Sequence, residues 1–261
     1  MKSKNRSDYY IHSIQRAIRI LEVFSLRRKE LSITELSREL NLHKSTVHRI
    51  LVTLEDEHFI KKNQSSNQYW LGLKLFELGN IVKEHFEIRD YALPVMKDIA
   101  SKTAESIDLN IIVDFRRVSI EKIESPHDIR RIIQLGKSLP LYSGGSGKAI
   151  LAFLPENEID QILKEENLMP LGPKTITDPI KLKEHLKEIR KQGYAISFEE
   201  RMMGSASIAA PIFNHDRRVI ASLSISGPIN RFTKEKISKF TLLIKEGSQK
   251  ISNSLGYRSF S

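Results

Sequence analysis

Apolar positions in the first third of the chain recur every three to four residues, in three short blocks. Ile14, Ala17, Ile18, Leu21 and Phe24 form the first, with Ser13 near its start; Ile33, Leu36 and Leu40 form the second; Val47, Ile50, Leu51 and Leu54 form the third. This spacing gathers apolar side chains on one face of an α-helix, and that face needs a core to cover it. The second block opens SITELSREL, with Ser32 and Glu35 at the capping-box interval, where each side chain can satisfy a free backbone N–H at the helix start. Asn41 tolerates the left-handed conformation and stands where the chain must turn into the third block. Two β-prone runs, FIKK and QYWLG, then flank the polar tip NQSSN, the pattern of a hairpin.

Three helices, the last two tightly joined, followed by a hairpin predict a winged helix-turn-helix over residues 1–72. In that architecture the third helix enters the major groove of duplex DNA and the wing lies on the flanking backbone. The polar side of NLHKSTVHRIL carries Lys44, Ser45, Thr46, His48 and Arg49. Arg49 is the candidate base contact, because a guanidinium can donate two parallel hydrogen bonds to guanine, while Ser45 and Thr46 can serve base or phosphate. Lys61 and Lys62 on the wing suit phosphates, where a point charge suffices. The plainer alternatives are a solvated helix face or a helix-turn-helix that contacts only protein. Next, LGLKLFELGNIVKE places Leu71, Leu75, Leu78 and Val82 in line, with Phe76 and Ile81 off it, predicting a linker or dimerisation helix over 73–87. It packs either between subunits or on its own domain.

From residue 88 to 261 the pattern changes to mixed helices and strands. Leu93, Met96, Ile99 and Ala100 mark a helix, and Ile107, Leu109, Ile111 and Val113 alternate as in a strand, with VSIEKIE beside it. KLKEHLKEIRKQG reads as a helix, followed by strands YAISF, SASIAAPIF and VIASLSISG, with NHDR turning between the last two. A long terminal helix from Thr233 to Leu255 ends at Gly256. Strands joined by a short turn are antiparallel, and helices at the two ends can cover one face of the sheet, giving an α+β domain.

Composition narrows the class. The chain has 261 residues, 40% of them hydrophobic, enough for two folded units, and no apolar run long enough to span a membrane. Its start, MKSKNRSDYY, is basic without the apolar stretch of a secretory signal, so a cytoplasmic protein is expected. The absence of cysteine excludes disulfides and thiolate chemistry. The eight histidines are scattered with no HExxH, so neither a metal nor a resident cofactor is expected. Residues 1–80 hold 14 Lys and Arg against 9 Asp and Glu, half of the net charge of +10 in under a third of the chain. That bias favours an anionic partner.

The third helix together with LPLYSGGSGKAILAFLP, GYAISFEE, GSASIAAPIF and SLSISGP, in this order, resembles the isocitrate-lyase-regulator (IclR) family of bacterial transcription factors over nearly the whole chain. The resemblance implies a winged helix-turn-helix, a linker helix and a GAF-like effector-binding domain with an antiparallel sheet, which takes a small metabolite, often a carboxylic acid. It implies a homodimer or a dimer of dimers on a near-palindromic operator in double-stranded DNA, more often as a repressor. Carried over position by position, its pocket falls on Gly145, Ser146, Ser197, Ser207, Ser224 and Ser226. Where some members have aspartate or cysteine this chain has Ser197 and Ser207, so the ligand's identity does not transfer.

The residues themselves agree in kind. SGGSGKA puts small residues just before a helix, where free backbone N–H groups favour an anion. Ser224 and Ser226 alternate with Leu223 and Ile225, so both hydroxyls share one strand face, which could equally face water. Met202 and Met203 either line a pocket or fill core space. An enzyme acting on a small organic acid, fused to a nucleic-acid-binding module, is the alternative, but its motifs fail. A phosphate-binding GxxxxGK[ST] would need glycine at Tyr142 and Ser or Thr at Ala149, and a GxSxG elbow at Ser146 would need glycine at Lys148. Glu199 and Glu200 are adjacent and point apart on a strand, so no catalytic residue is assigned.

Overall fold

The computed structural model describes residues 11–25, 27–84 and 86–258; the basic start, residues 1–10, lies outside them. The chain divides after residue 85 into two compact units.

In the first unit α1 (His12–Val23), α2 (Ile33–Leu40) and α3 (Lys44–Asp56) precede a hairpin of β1 (Ile60–Lys62) and β2 (Tyr69–Leu71). The capping box forms: Ser32 Oγ accepts from the Glu35 N–H at 3.3 Å and the Glu35 carboxylate accepts from the Ser32 N–H at 2.8 Å. The Ser32 hydroxyl, which also donates to that carboxylate at 2.7 Å, and then the Ser32 N–H hold the Glu35 carboxyl below its ordinary range. Asn41 is left-handed, at φ 52 and ψ 47, and turns α2 into α3. The core gathers Leu36, Val47 and Leu51 with Ile20, Phe24, Leu31, Ile60 and Tyr69. Leu31 bonds Tyr69 through both backbone partners, which ties the α1–α2 connection to the wing.

Helix α1 departs from its expected stripe. Its inward face centres on Ile20 and Phe24, whereas Ile14 is 55% exposed and Ile18 is 50% exposed, because only the C-terminal half of the helix reaches the core. Ser13 does not cap it; Ile11 holds that position and makes no side-chain bond. Helix α4 (Leu73–Glu84) belongs to the same unit and leaves Leu73 84% and Phe76 69% exposed in the single chain. Removing the α2 cap by Ser32→Ala is expected to cost about 0.5 to 2 kcal/mol. Hydrogen exchange of the α2 amides in the intact protein would show this as accelerated local opening.

The second unit starts with α5 (Glu87–Thr103), β3 (Ser106–Val113), β4 (Arg116–Ile123) and β5 (Ser138–Pro140). It continues through α6 (Gly145–Leu151), α7 (Glu156–Glu165), α8 (Pro179–Gln192), β6 (Ala195–Phe198), β7 (Ser205–Phe213), β8 (Val219–Pro228) and α9 (Lys234–Ser254). The strands form one antiparallel sheet in the order β5-β4-β3-β8-β7-β6. Helices α5 and α9 cover one face, over Ile107, Leu109, Ile208, Leu223 and Ile225. The other face is covered as well: α6 lies on it over Ala195 and Ala209, backed by α7 and α8. The polar positions of β3 and β8 are buried rather than turned to water, Ser106, Asp108, Asn110, Ser222, Ser224 and Ser226 among them. Among the described residues no helix is long and apolar enough to cross a membrane.

Candidate DNA interface and effector site

On α3 the buried Val47 and Leu51 face the core, while Lys44, Ser45, His48 and Arg49 are exposed and Thr46 is half-buried. One helix thus presents five hydrogen-bonding side chains on the side away from its core. In the hairpin, Lys61 is paired with Trp70 and Lys62 with Tyr69, and each ammonium lies about 6 Å from the ring it faces, 6.0 and 5.8 Å respectively. These aromatic rings hold the lysine stems without neutralising the charges.

In the second unit the strand register sets Ser197, Ser207, Ser226 and Ser106 side by side across four strands. The hydroxyls differ in what they do. Ser207 Oγ accepts from the Gly145 N–H at 3.2 Å, and Ser224 Oγ donates to Asp108 Oδ1 at 2.5 Å. Ser226 Oγ is buried without a protein partner. Ser222, one step further along β8 and unnoticed in the sequence, donates to the Ser146 carbonyl at 3.0 Å. Gly145 and Gly147 lie within the first turn of α6 rather than before it, and they serve close packing. A Cβ on Gly145 would lie 2.9 Å from Ser207 Oγ, and one on Gly147 would lie 2.5 Å from the Leu141 carbonyl oxygen. Met202 and Met203 are exposed, at 56% and 76%, so neither fills the core.

Below the turn lies a buried ion pair. Lys148 is 0% exposed and bonds the Glu200 carboxylate, whose other oxygen accepts from the Gly144 N–H at 3.0 Å. Lys148 Nζ also lies 3.0 Å from His185 Nε2. Burial lowers the proton affinity of both groups, with Glu200 opposing this at Lys148 and the Lys148 charge adding to it at His185. A neutral His185 therefore accepts from the ammonium. Glu199 diverges from Glu200, accepting from the Gly204 N–H at 2.9 Å and pairing with Lys174 at 3.0 Å.

The polar face also brings together charges that their sequence spacing hides. Asp108 accepts from Ser224 and, at 2.7 Å, from Asn110, whose own Oδ1 accepts from Arg117 Nη1 at 2.8 Å. Arg117 is only 2% exposed, and its Nε has no partner. Burial pushes it down to about 10, Asp108 working against the fall and Arg131 adding to it. Burial and then the charges of Arg117 and Arg131 push Arg201 down to about 9, again against Asp108. Arg131 is lowered by burial, and its Nη1 finds the Met202 sulfur at 3.1 Å. Among the described residues no group of three His, Asp or Glu could hold a metal ion.

A helix-turn-helix with a free polar recognition face, followed in the same chain by an α+β domain with a buried polar row, defines a DNA-binding transcriptional regulator with an effector-binding domain. Residues 13–64 match the IclR helix-turn-helix domain and residues 81–253 match the domain described as bacterial transcriptional regulator IclR C-terminal. The chain belongs to the IclR family of transcriptional regulators, not enzymes, which removes the small-acid enzyme as an alternative. It is 34% identical to the HTH-type transcriptional regulator KipR of Bacillus subtilis over 98% of this chain and 100% of that protein. It is 27% identical to the transcriptional repressor IclR of Escherichia coli, over 94% and 90% of the two chains. The crystal structure of Thermotoga maritima IclR superposes with a TM-score of 0.80 at 37% identity, covering 95% of this chain and all of that one.

Proposed function

We propose that this protein is a ligand-responsive repressor, acting in the cytoplasm, that binds a near-palindromic operator and senses a small hydroxylated carboxylate such as a sugar acid. Lys44, Ser45, Thr46, His48 and Arg49 read the major groove, and Lys61 and Lys62 hold flanking phosphates. The effector sits against Gly145, Ser146, Ser197, Ser207, Ser224 and Ser226. The observation that carries this reading is Ser226: a buried hydroxyl without a partner costs stability unless something else bonds it, and it stands in a row with Ser197 and Ser207. The repressor named among the relatives supports the direction of control.

The exposed Leu73 and Phe76 of α4, with Ile14 and Ile18 on α1 and Ile11 just before it, fit burial against a second subunit. A homodimer, or a dimer of dimers, places half-sites about 10 base pairs apart or a multiple of that. Light scattering is expected to show no monomer at operator-saturating concentration.

Ligand occupancy can change DNA affinity only through a difference in ligand affinity between two states, typically 5- to 150-fold. A thermal-shift screen of sugar, keto and aromatic acids identifies the ligand, and operator titrations with and without it measure the coupling. Ser226→Ala is expected to lose that response while binding operator as the unmodified protein does. A normal response would show that the effector lies elsewhere. Ser224→Ala is a poorer probe, since it also strips a donor from the buried Asp108.

A further inference from the structure

We propose that the effector is a dianion, a small hydroxylated acid carrying two anionic groups, bound where Arg117, Arg131 and Arg201 share the single carboxylate of Asp108. This rests on the reading of the second unit as effector-binding.

The charge balance carries the argument. Three guanidiniums against one carboxylate leave two positive charges, and the neighbouring acids are committed elsewhere. Glu105 pairs with Arg231 at 2.5 and 2.7 Å, Glu121 with Arg89, Glu199 with Lys174 and Glu200 with Lys148. Asp108 itself already accepts from Ser224 and Asn110. Burial depresses all three arginines and like charge adds to it at Arg117 and Arg201, yet at about 9 and 10 Arg201 and Arg117 remain protonated at neutral pH. An anion relieves this repulsion where losing a proton does not.

The donors are also free to receive one. Arg117 Nε and Ser226 Oγ are both buried and without partners. Arg131 Nη1 meets a thioether, a weak acceptor, and the one carboxylate acting on its charge is Asp108, which it shares with Arg117 and Arg201. Arg201 runs its aliphatic stem along Gly144, where a Cβ would come within 2.9 Å of its Cδ, so the residue after the ion-paired Glu200 is held against the glycine-rich turn. The hydrogen-bond chain from Arg117 through Asn110 and Asp108 ends on Ser224, two positions along β8 from Ser226. The charged cluster and the serine row are thus two ends of one polar surface. Hydroxyls on the ligand suit the serines, and its two anionic groups suit the arginines.

Matched acids test this directly on the full-length protein. Gluconate, glucarate and 6-phosphogluconate differ only at the far carbon, as a hydroxyl, a carboxylate and a phosphate; erythronate, meso-tartrate and 4-phosphoerythronate repeat the series in a shorter chain. By calorimetric titration the acids with two anionic groups, dicarboxylates at about −2 and phosphates at about −2.5 to −3, are expected in at least one series to bind roughly 10- to 100-fold tighter than the matched monoanion, the effect of one added charge-assisted contact. The better of the carboxylate and phosphate arms gives the class of the second group. Arg201→Ala should reduce the preference to less than about threefold, and Arg201→Lys should restore part of it. Because repulsion is removed, the ligand-free melting temperature of Arg201→Ala should not fall, which separates loss of the site from loss of the fold. Monoanions binding as tightly as dianions in both series, with the Ser226-dependent response intact, would overturn the dianion and leave the effector site standing. A dianion preference that survives Arg201→Ala would also overturn it. If no acid of either charge binds, the effector reading and this inference fall together.

Discussion

Glu200→Gln is expected to destabilise the second unit by about 3 to 5 kcal/mol, because it strips the counter-charge from a fully buried ammonium. Lys148 is 0% exposed and Glu200 6%, and the carboxylate is the group that holds the lysine's proton against burial. Glutamine keeps the shape, but with its one oxygen on the Gly144 N–H its amide NH2 meets the ammonium, so the loss combines the counter-charge with the acceptor Lys148 needs. Pairing it with Lys148→Met should recover most of the stability, since both charges then leave the interior together. The pH dependence has a definite sign. A lysine whose folded pKa lies below its unfolded value binds fewer protons when folded, so stability rises with pH between that lowered value and the ordinary 10.5. The variant, with the carboxylate gone, should show the steeper rise. Denaturant unfolding across alkaline pH measures both effects, and a single variant within about 1 kcal/mol of the unmodified protein would mean that the pair is not what holds the turn.

At the other end of the chain, Arg49→Ala is expected to weaken operator binding by about 1 to 3 kcal/mol and to relax the preference at one base pair. The side chain is exposed on α3 with the apolar face of the helix turned away from it. Lys62→Ala should instead weaken binding to all sequences alike and reduce the salt dependence by about one phosphate contact. Competition binding at fixed salt distinguishes them. A uniform loss on Arg49→Ala would make that residue a phosphate contact.

Local signals carried the first unit well. The capping box at Ser32 and the left-handed Asn41 act within a few residues, so their geometry is written in short stretches, and the α3 periodicity has only one apolar side to choose. Helix α1 misled for the opposite reason: apolar residues surround much of it, and tertiary contact with Ile20 and Phe24, not spacing, decides which are covered. The antiparallel strands and terminal helices of the second unit were legible from alternation. What alternation cannot reveal is whether the polar side meets water or another helix, and α6 makes the difference for Ser222, whose hydroxyl donates to the Ser146 carbonyl. The serines at Ser207, Ser224 and Ser226 stood out by resemblance, but Arg117, Arg131 and Arg201 come from a strand and two loops far apart in sequence. Only the folded sheet gives them a common neighbour in Asp108.

Glu200 is anchored on every side. Its carbonyl accepts from Ser143 Oγ at 3.1 Å and Thr175 Oγ1 at 2.5 Å, and its carboxylate holds the Gly144 N–H and Lys148. The next residue along the chain is Arg201. A tug on that guanidinium cannot be absorbed by a compliant loop, because the backbone under it is cross-braced to the start of α6 and to the segment before α8. Motion there has to be shared by these segments, or it has to rupture four bonds, three of them buried. For a ligand bound as proposed, this bracing would pass its load on Arg201 to the start of α6 and the segment before α8.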